Sequence, residues 1–253
     1  TQADAVATTA EDPIYGGRLG ELESELASLI QRIDRLRAEL RDSRGEDPVV
    51  HCLGRVKTPQ SIREKCLRKG LEPSAESAFA HVRDIIGVRV VCAFLSDVYL
   101  MRDVIARLPG AEVVGEKDYI RHVKPNGYRS YHLLLRLESG LFAEVQVRTV
   151  SMDTWASLEH QLKYKRDLDG DLRLITSELK RCADELASTD LSMQAIRDMI
   201  RGERAAGGEG RWSRQDSSVG CLPSSSRSRP SVALTSWILR SWALARHHAS
   251  ASA

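Results

Sequence analysis

The sequence predicts an α/β (α+β) fold, a mixed β-sheet with flanking helices and a long helix at either end. Three observations carry this. Apolar runs at 85–94 and 133–135 and an alternating run at 143–148 read as strands. An amphipathic helix pattern at 96–108 and a short strand at 112–114 fall between them. The order strand, helix, strand, strand, strand implies one α/β domain with a mixed sheet. Unbroken heptad seams bracket this core: Leu19, Leu22, Leu26, Leu29, Ile33, Leu36 and Leu40 before it, and Leu172, Ile175, Leu179, Cys182, Leu186, Thr189, Met193, Ile196 and Ile200 after it.

Composition narrows the class. A length of 253 residues suits one or two domains, and 42% apolar residues supply a core. A net charge of +2 argues against a strongly basic nucleic-acid binder such as a DNA-binding domain. No stretch approaches the roughly 20 apolar residues that span a bilayer, and no secretory signal pattern opens the chain. The five cysteines (Cys52, Cys66, Cys92, Cys182, Cys221) are scattered, with no Cys-x-x-Cys pair. That speaks against a zinc site or disulfide framework and for a cytoplasmic protein with reduced thiols.

Taken in order, residues 1–17 read as disordered, with Pro13, Gly16 and Gly17 leading into the first heptad helix. That seam suits a helix packed on its own domain as well as one that pairs with another subunit. Residues 45–59 read as a connecting stretch, punctuated by Gly45, Pro48, Gly54 and Pro59. Ser61–Gly70 reads as a basic helix, with Ser61 as N-cap, Glu64 completing a capping box and Gly70 as the stop. Asp84 stands at the entrance of the first clear strand, and Arg89 interrupts it and needs a partner. Ser96-Asp97 is expected to cap the next helix, which Pro109-Gly110 ends. Residues 117–132 form a charged, aromatic loop with a turn at Pro125-Asn126-Gly127. In the strand that follows, Ala143, Val145 and Val147 share one face while Glu144, Gln146 and Arg148 share the other. Thr149–Ser151 cap a helix to about Lys165, with Asp153 in its first turn and Trp155, Leu158 and Leu162 on its apolar face. Residues 167–171 read as a loop. From 203 to 253 the chain turns rich in Ser, Arg and Gly and reads as disordered, or as a non-native extension.

The polar residues form a constellation. Asp84 and Glu144 on neighbouring strands are what a Mg²⁺–nucleotide site needs, since Mg²⁺ takes one or two carboxylates plus phosphate oxygens. Arg55, Lys57, Lys65 and Arg68 can neutralise one triphosphate; Lys117, Lys124, Arg129 and His132 can serve another. Tyr128, in a Gly-flanked loop among cations, can stack on a base. Tyr119, Tyr131 and Trp155 are expected in the core. His51, His81, His122 and His160 lack metal-ligand spacing and are expected to be structural or on the surface. Two nucleotides, one metal and no covalent nucleophile suggest phosphoryl-group transfer by positioning and charge neutralisation.

Six motifs in order then carry a resemblance: Gly54-Arg-Val-Lys57, Asp84-Ile-Ile-Gly-Val-Arg89, Lys117-Asp-Tyr-Ile120, Gly127-Tyr-Arg-Ser-Tyr-His132, Glu144-Val-Gln-Val-Arg-Thr149 and Trp155-Ala-Ser-Leu-Glu-His160. Over about residues 19–200 the chain resembles the small alarmone synthetases of the RelA/SpoT homologue family. The resemblance implies a nucleotidyltransferase-like fold, a synthetase domain over 18–202, and pyrophosphate transfer from ATP to the 3′-hydroxyl of GDP or GTP. It places adenine between Arg55 and Arg89, with the ATP phosphates on Lys57, Ser61, Lys65 and Arg68. Mg²⁺ falls to Asp84, and Glu144 either completes the metal site or takes the hydroxyl proton. Tyr128 would stack on guanine, Gln146 and Asp153 would read its edge, and Lys117, Lys124 and His132 would take the acceptor phosphates. The absence of a His-Asp dipeptide implies no hydrolase domain. The flanking helices match where small relatives build a homotetramer with an allosteric cleft, whose regulator would be an alarmone or single-stranded RNA. The rival reading is a catalytically silent nucleotide- or RNA-binding module on the same fold.

Overall fold

The sheet is built on alternation, and the two faces of its strands have separate duties. The computed structural model describes residues 12–164 and 172–207, all within the first of the two units into which the chain divides, Thr1–Gly208. Five strands, β1 (Val49–Val56), β2 (Ile86–Cys92), β3 (Ala111–Asp118), β4 (Tyr131–Leu137) and β5 (Phe142–Thr149), form one sheet in the order β1-β2-β5-β4-β3. Only the central β2–β5 pair is parallel, so the sheet is mixed as expected. One face carries Val88, Val90, Leu133, Leu135, Ala143, Val145 and Val147, all buried.

Helix α1 (Leu19–Arg44) lies on that apolar face, with α4 (Leu95–Ile105) beside it. The first heptad seam belongs to this packing. Leu22, Leu29 and Ile33 are fully buried, and Leu19, Leu26, Leu36 and Leu40 pack against the same core. The own-domain reading of that helix therefore holds. Gly54 of β1 faces α1, where a Cβ would lie 2.6 Å from the tips of Leu26 and Ile30.

Several boundaries differ from expectation. The stretch 45–59 contains β1, hidden in the sequence by its own glycine and polar residues; as an edge strand it needs little continuous apolarity. A short helix, α3 (Ala75–His81), also escaped the pattern. The basic helix α2 (Pro59–Arg68) starts earlier than Ser61. Thr58 is its N-cap, accepting from Ser61 N at 3.4 Å, and Pro59 takes the first turn. Helix α4 has Phe94 at its N-cap with no side-chain cap, so Ser96 and Asp97 lie inside the first turn. Residues 12–17 are ordered. Asp12 caps a 3₁₀ turn, Pro13–Tyr15, whose Ile14 and Tyr15 are buried. The expectations for residues 1–11, the loop at 167–171 and the tail from 208 onward lie outside the described residues.

Helix α5 (Val150–Tyr164) follows β5 directly; Thr149 Oγ1 accepts from Met152 N at 3.2 Å. Helix α6 (Leu172–Gly207) packs on α5 and α4. Its heptad seam is only partly covered: Ile175, Leu179 and Leu186 are half-buried, while Met193, Ile196 and Ile200 are exposed. Among the described residues its buried side chains are Ala183, Asp190 and Arg197. Asp190 accepts from Thr149 Oγ1 at 2.5 Å, and Arg197 pairs with the buried Asp97 of α4 at 2.6 Å. Arg129, expected to serve a phosphate, is instead buried and donates to Asp184 of α6 at 2.7 Å. Gly127 lies under the same helix at φ +91°, where a Cβ would sit 2.6 Å from Ala183 Cβ and 3.0 Å from Lys180 Cα. Gly127→Ala should thus destabilise the protein by about 2–3 kcal/mol, from overpacking plus a left-handed backbone. Thermal or denaturant unfolding measures this, and a change below about 0.5 kcal/mol would contradict the close packing.

Candidate active site

The polar face of the sheet is open between α2 and α5, and register arranges it in two rows. One runs Arg55, Gly87, Glu144, Leu134, Gly115 across all five strands; the next runs Leu53, Arg89, Gln146, His132, Lys117. Glycine at 87 leaves open floor between Arg55 and Glu144. A cavity of about 220 Å³ stands on this floor, lined by Arg55, Lys57, Asp84, Arg89, Glu144 and Gln146 among others.

Each acid in the site is held by cations or donors. Asp84, just before β2, meets Lys57 Nζ at 3.2 Å and Lys65 Nζ at 2.6 Å. Both contacts use Oδ2; Oδ1 is buried and has no hydrogen-bond partner among the described residues. Glu144 accepts from Gln146 Nε2 at 2.7 Å and faces His132 Nδ1 at 3.2 Å. Burial pushes its carboxyl upward, but the His132 contact, the Gln146 amide and the charge of Lys65 outweigh that and hold it down to about 2. Asp153 on α5 supplies the partner that Arg89 needs, at 3.1 Å, and receives Arg148 on the same oxygen at 3.2 Å. His51 stands 3.9 Å from the other oxygen.

Beyond Glu144 lies the aromatic loop. Gly127 N donates to Lys124 O at 2.8 Å, closing the turn at Pro125-Asn126, and Asn126 Oδ1 accepts from Tyr128 N at 3.2 Å. The Tyr128 hydroxyl lies 2.8 Å from His132 Nε2 and accepts from Arg148 at 2.7 Å. Burial raises its pKa, so it remains a hydroxyl at neutral pH. Lys124 Nζ sits over the Tyr119 and Tyr128 rings at 4.3 and 4.7 Å. Tyr131 and Trp155 are core residues, as expected, whereas Tyr119, expected with them, is only half-buried, with Lys124 over its ring.

The site residues expected from the sequence are thus largely gathered. Arg55, Lys57, Asp84, Arg89, Glu144 and Gln146 share the cavity, and Lys65 reaches it through Asp84. His132 and Lys117 extend the same row, with Lys117 exposed on β3. Ser61 and Arg68 are on α2 but do not line the cavity; the Ser61 hydroxyl accepts from Thr58 at 2.9 Å. Arg148 carried no expected role, yet it is the buried hub between Tyr128, Gln146 and Asp153. Its place on the polar face was legible, but its burial under α5 was not.

Two carboxylates, Asp84 and Glu144, thus stand among lysines, arginines and a histidine on an open sheet face. The family profile described as a region found in RelA / SpoT proteins matches residues 54–169. The GTP pyrophosphokinase YwaC of Bacillus subtilis is 36% identical over 212 residues, covering 79% of this chain and 97% of that protein. YjbM of the same organism, also a GTP pyrophosphokinase, is 32% identical over 191 residues, with coverages of 70% and 88%. Small alarmone synthetase 1 of B. subtilis, solved with its product pppGpp, superposes with a TM-score of 0.67 at 28% identity, over 75% of this chain and 100% of that one. The chain belongs to the RelA/SpoT family, in its small alarmone synthetase class.

The Glu144 contacts make a pH prediction. A carboxyl lowered on folding adds stability that is fully present above its ordinary value of 4.5 and is lost as pH falls toward 2. Denaturant unfolding between pH 6 and 3 should therefore show a falling limb that is shallower in Glu144→Gln; identical limbs would refute the contact.

Proposed function

We propose that this protein transfers the β,γ-pyrophosphoryl group of ATP to the ribose 3′-hydroxyl of GDP or GTP, in the cytoplasm, yielding AMP and ppGpp or pppGpp. The observation that carries this reading is the shared cavity of Asp84 and Glu144 among Arg55, Lys57 and Arg89. The product-bound relative supports it. The 3′-oxygen attacks the β-phosphorus, the bond from that phosphorus to the bridging oxygen breaks, and the oxygen leaves with AMP. The hydroxyl proton passes to Glu144 or to water.

The residues divide this work. Arg55 and Arg89 flank the floor at Gly87 and take adenine between them. Lys57 and Lys65 lie on Asp84. The ATP phosphates offer them a more highly charged anion, with Arg68 and Ser61 further along α2. That exchange releases Asp84, whose unpartnered Oδ1 suits a cation. Among the described residues no group of three or more acidic, histidine or cysteine side chains could hold a metal. Two carboxylates suit Mg²⁺, which completes its shell with phosphate oxygens and water. Asp84 and Glu144 would hold it, and when bound it neutralises charge on the transferring phosphates. Glu144 lies where it can complete the metal site or take the hydroxyl proton, the two roles the resemblance implies for it. Tyr128 stacks on guanine, Gln146 and Asp153 read its edge, and Lys117, Lys124 and His132 take the acceptor phosphates.

Thin-layer separation after incubation with γ-labelled ATP, Mg²⁺ and GDP or GTP should show label in the guanosine tetra- or pentaphosphate. Glu144→Gln and Asp84→Asn should lower the rate by at least roughly a hundredfold. Retained nucleotide binding with no transfer to either acceptor would leave only a binding role.

The apolar stripe of α6 supports a homo-oligomer, a tetramer by resemblance. Met193, Ile196 and Ile200 are 47%, 45% and 48% exposed on this chain. Ile196→Asp should yield a smaller species by light scattering; an unchanged mass would remove the stripe from the interface.

A further inference from the structure

Arg148 belongs to the polar face of β5, yet it is only 5% exposed. A guanidinium so buried is costly unless its donors are satisfied. Here Nε donates to Ser130 Oγ at 3.3 Å, Nη1 to Asp153 Oδ1 at 3.2 Å, and Nη2 to the Tyr128 hydroxyl at 2.7 Å and Gln146 Oε1 at 2.6 Å. Three of these four partners are the residues assigned above to the guanine base. Among the described residues no other side chain bonds all three.

The fork decides how each partner presents itself. Because Arg148 donates to Gln146 Oε1, the amide must turn Nε2 toward Glu144 Oε2, 2.7 Å away. Because it donates to the Tyr128 hydroxyl, the ring is anchored from its inner end. Because Arg148 and Arg89 share Asp153 Oδ1, Oδ2 remains for an incoming N–H, with His51 only at 3.9 Å. Arg148 is not in the lining of the donor cavity.

We infer that Arg148 is the positioning residue of the acceptor-base subsite. Its guanidinium does not touch the nucleotide; it orients the three residues that select guanine. This rests on the proposed pyrophosphate transfer to a guanine nucleotide. Lysine cannot replace it, since an ammonium lacks the planar fork and its fixed spread of donors.

The test is steady-state kinetics of the full chain, comparing wild type with Arg148→Lys and Arg148→Met. GDP and inosine 5′-diphosphate are each varied at saturating ATP, and ATP is varied at saturating GDP. The KM for GDP should rise roughly ten- to hundredfold, the scale of one or two charge-assisted hydrogen bonds, while that for ATP stays within about threefold. The preference for GDP over the inosine nucleotide in kcat/KM should fall with it. An equal rise for ATP and GDP, or an unmoved preference, overturns the inference. Thermal unfolding checks that the variants fold. If they do not, Tyr128→Phe carries the test, since it keeps the ring and removes the hydroxyl that Arg148 holds. A raised KM for GDP alone supports the inference, and wild-type constants overturn it. Wild type that transfers nothing to GDP or GTP sinks the pyrophosphokinase reading, and this inference with it. An active wild type with unmoved discrimination sinks only the role of Arg148.

Discussion

Everything in the site depends on the register of the parallel β2–β5 pair. Gly87 beside Glu144 and Arg89 beside Gln146 fix which side chains stand together on the open face. A slip of β5 by one residue would turn Val145 to solvent and send Glu144 into the core, because side chains alternate strictly along a strand. The buried row Val88, Val145, Leu133 prevents this, and α1 seals it against Gly54. Hydrophobic burial on one face thereby sets the geometry of the polar face, with no loop required to place Glu144 or Gln146. The two flanking elements then add what the sheet lacks. Helix α2 brings Lys65 to one end, and α5 brings Asp153 to the other.

Each acid in this site is paired with a cationic or histidine side chain. Asp84 lies under two lysines, Glu144 beside His132, and Asp153 under two arginines. Unpaired, these groups would be costly at such partial burial. Paired, they form a lattice of mutually satisfied contacts. Lys124 finds its partners in the electron-rich faces of Tyr119 and Tyr128.

Much of this was legible beforehand because it is local. Alternation from Ala143 to Arg148 assigned each side chain to a face. The apolar run after Asp84 marked a central strand, and the turn at Pro125-Asn126-Gly127 marked the loop that bears Tyr128. Six motifs in order specified the family. What was missed shares a different cause. Strand β1 has a glycine and polar residues because it is an edge with one face under α1. Arg129 looks like one more phosphate cation in the sequence, and Arg148 like one more residue of the polar face, yet both are buried, with their donors turned on protein partners. Only the position of α6 over one and α5 over the other distinguishes them from Lys117.

The two heptad seams put the division most plainly. By itself the sequence determined that 19–40 and 172–200 are helical and that each carries an apolar stripe, because periodicity is a property of the local chain. It also determined the chemistry available at Asp84, Glu144 and the surrounding cations. Tertiary structure decided where each stripe goes. The first is buried under its own sheet. In the second helix, Ala183, Asp190 and Arg197 turn inward instead, to meet Thr149 and Asp97. A helix faces whatever satisfies its buried polar groups, and those partners lie far away in sequence, where no periodicity can reveal them.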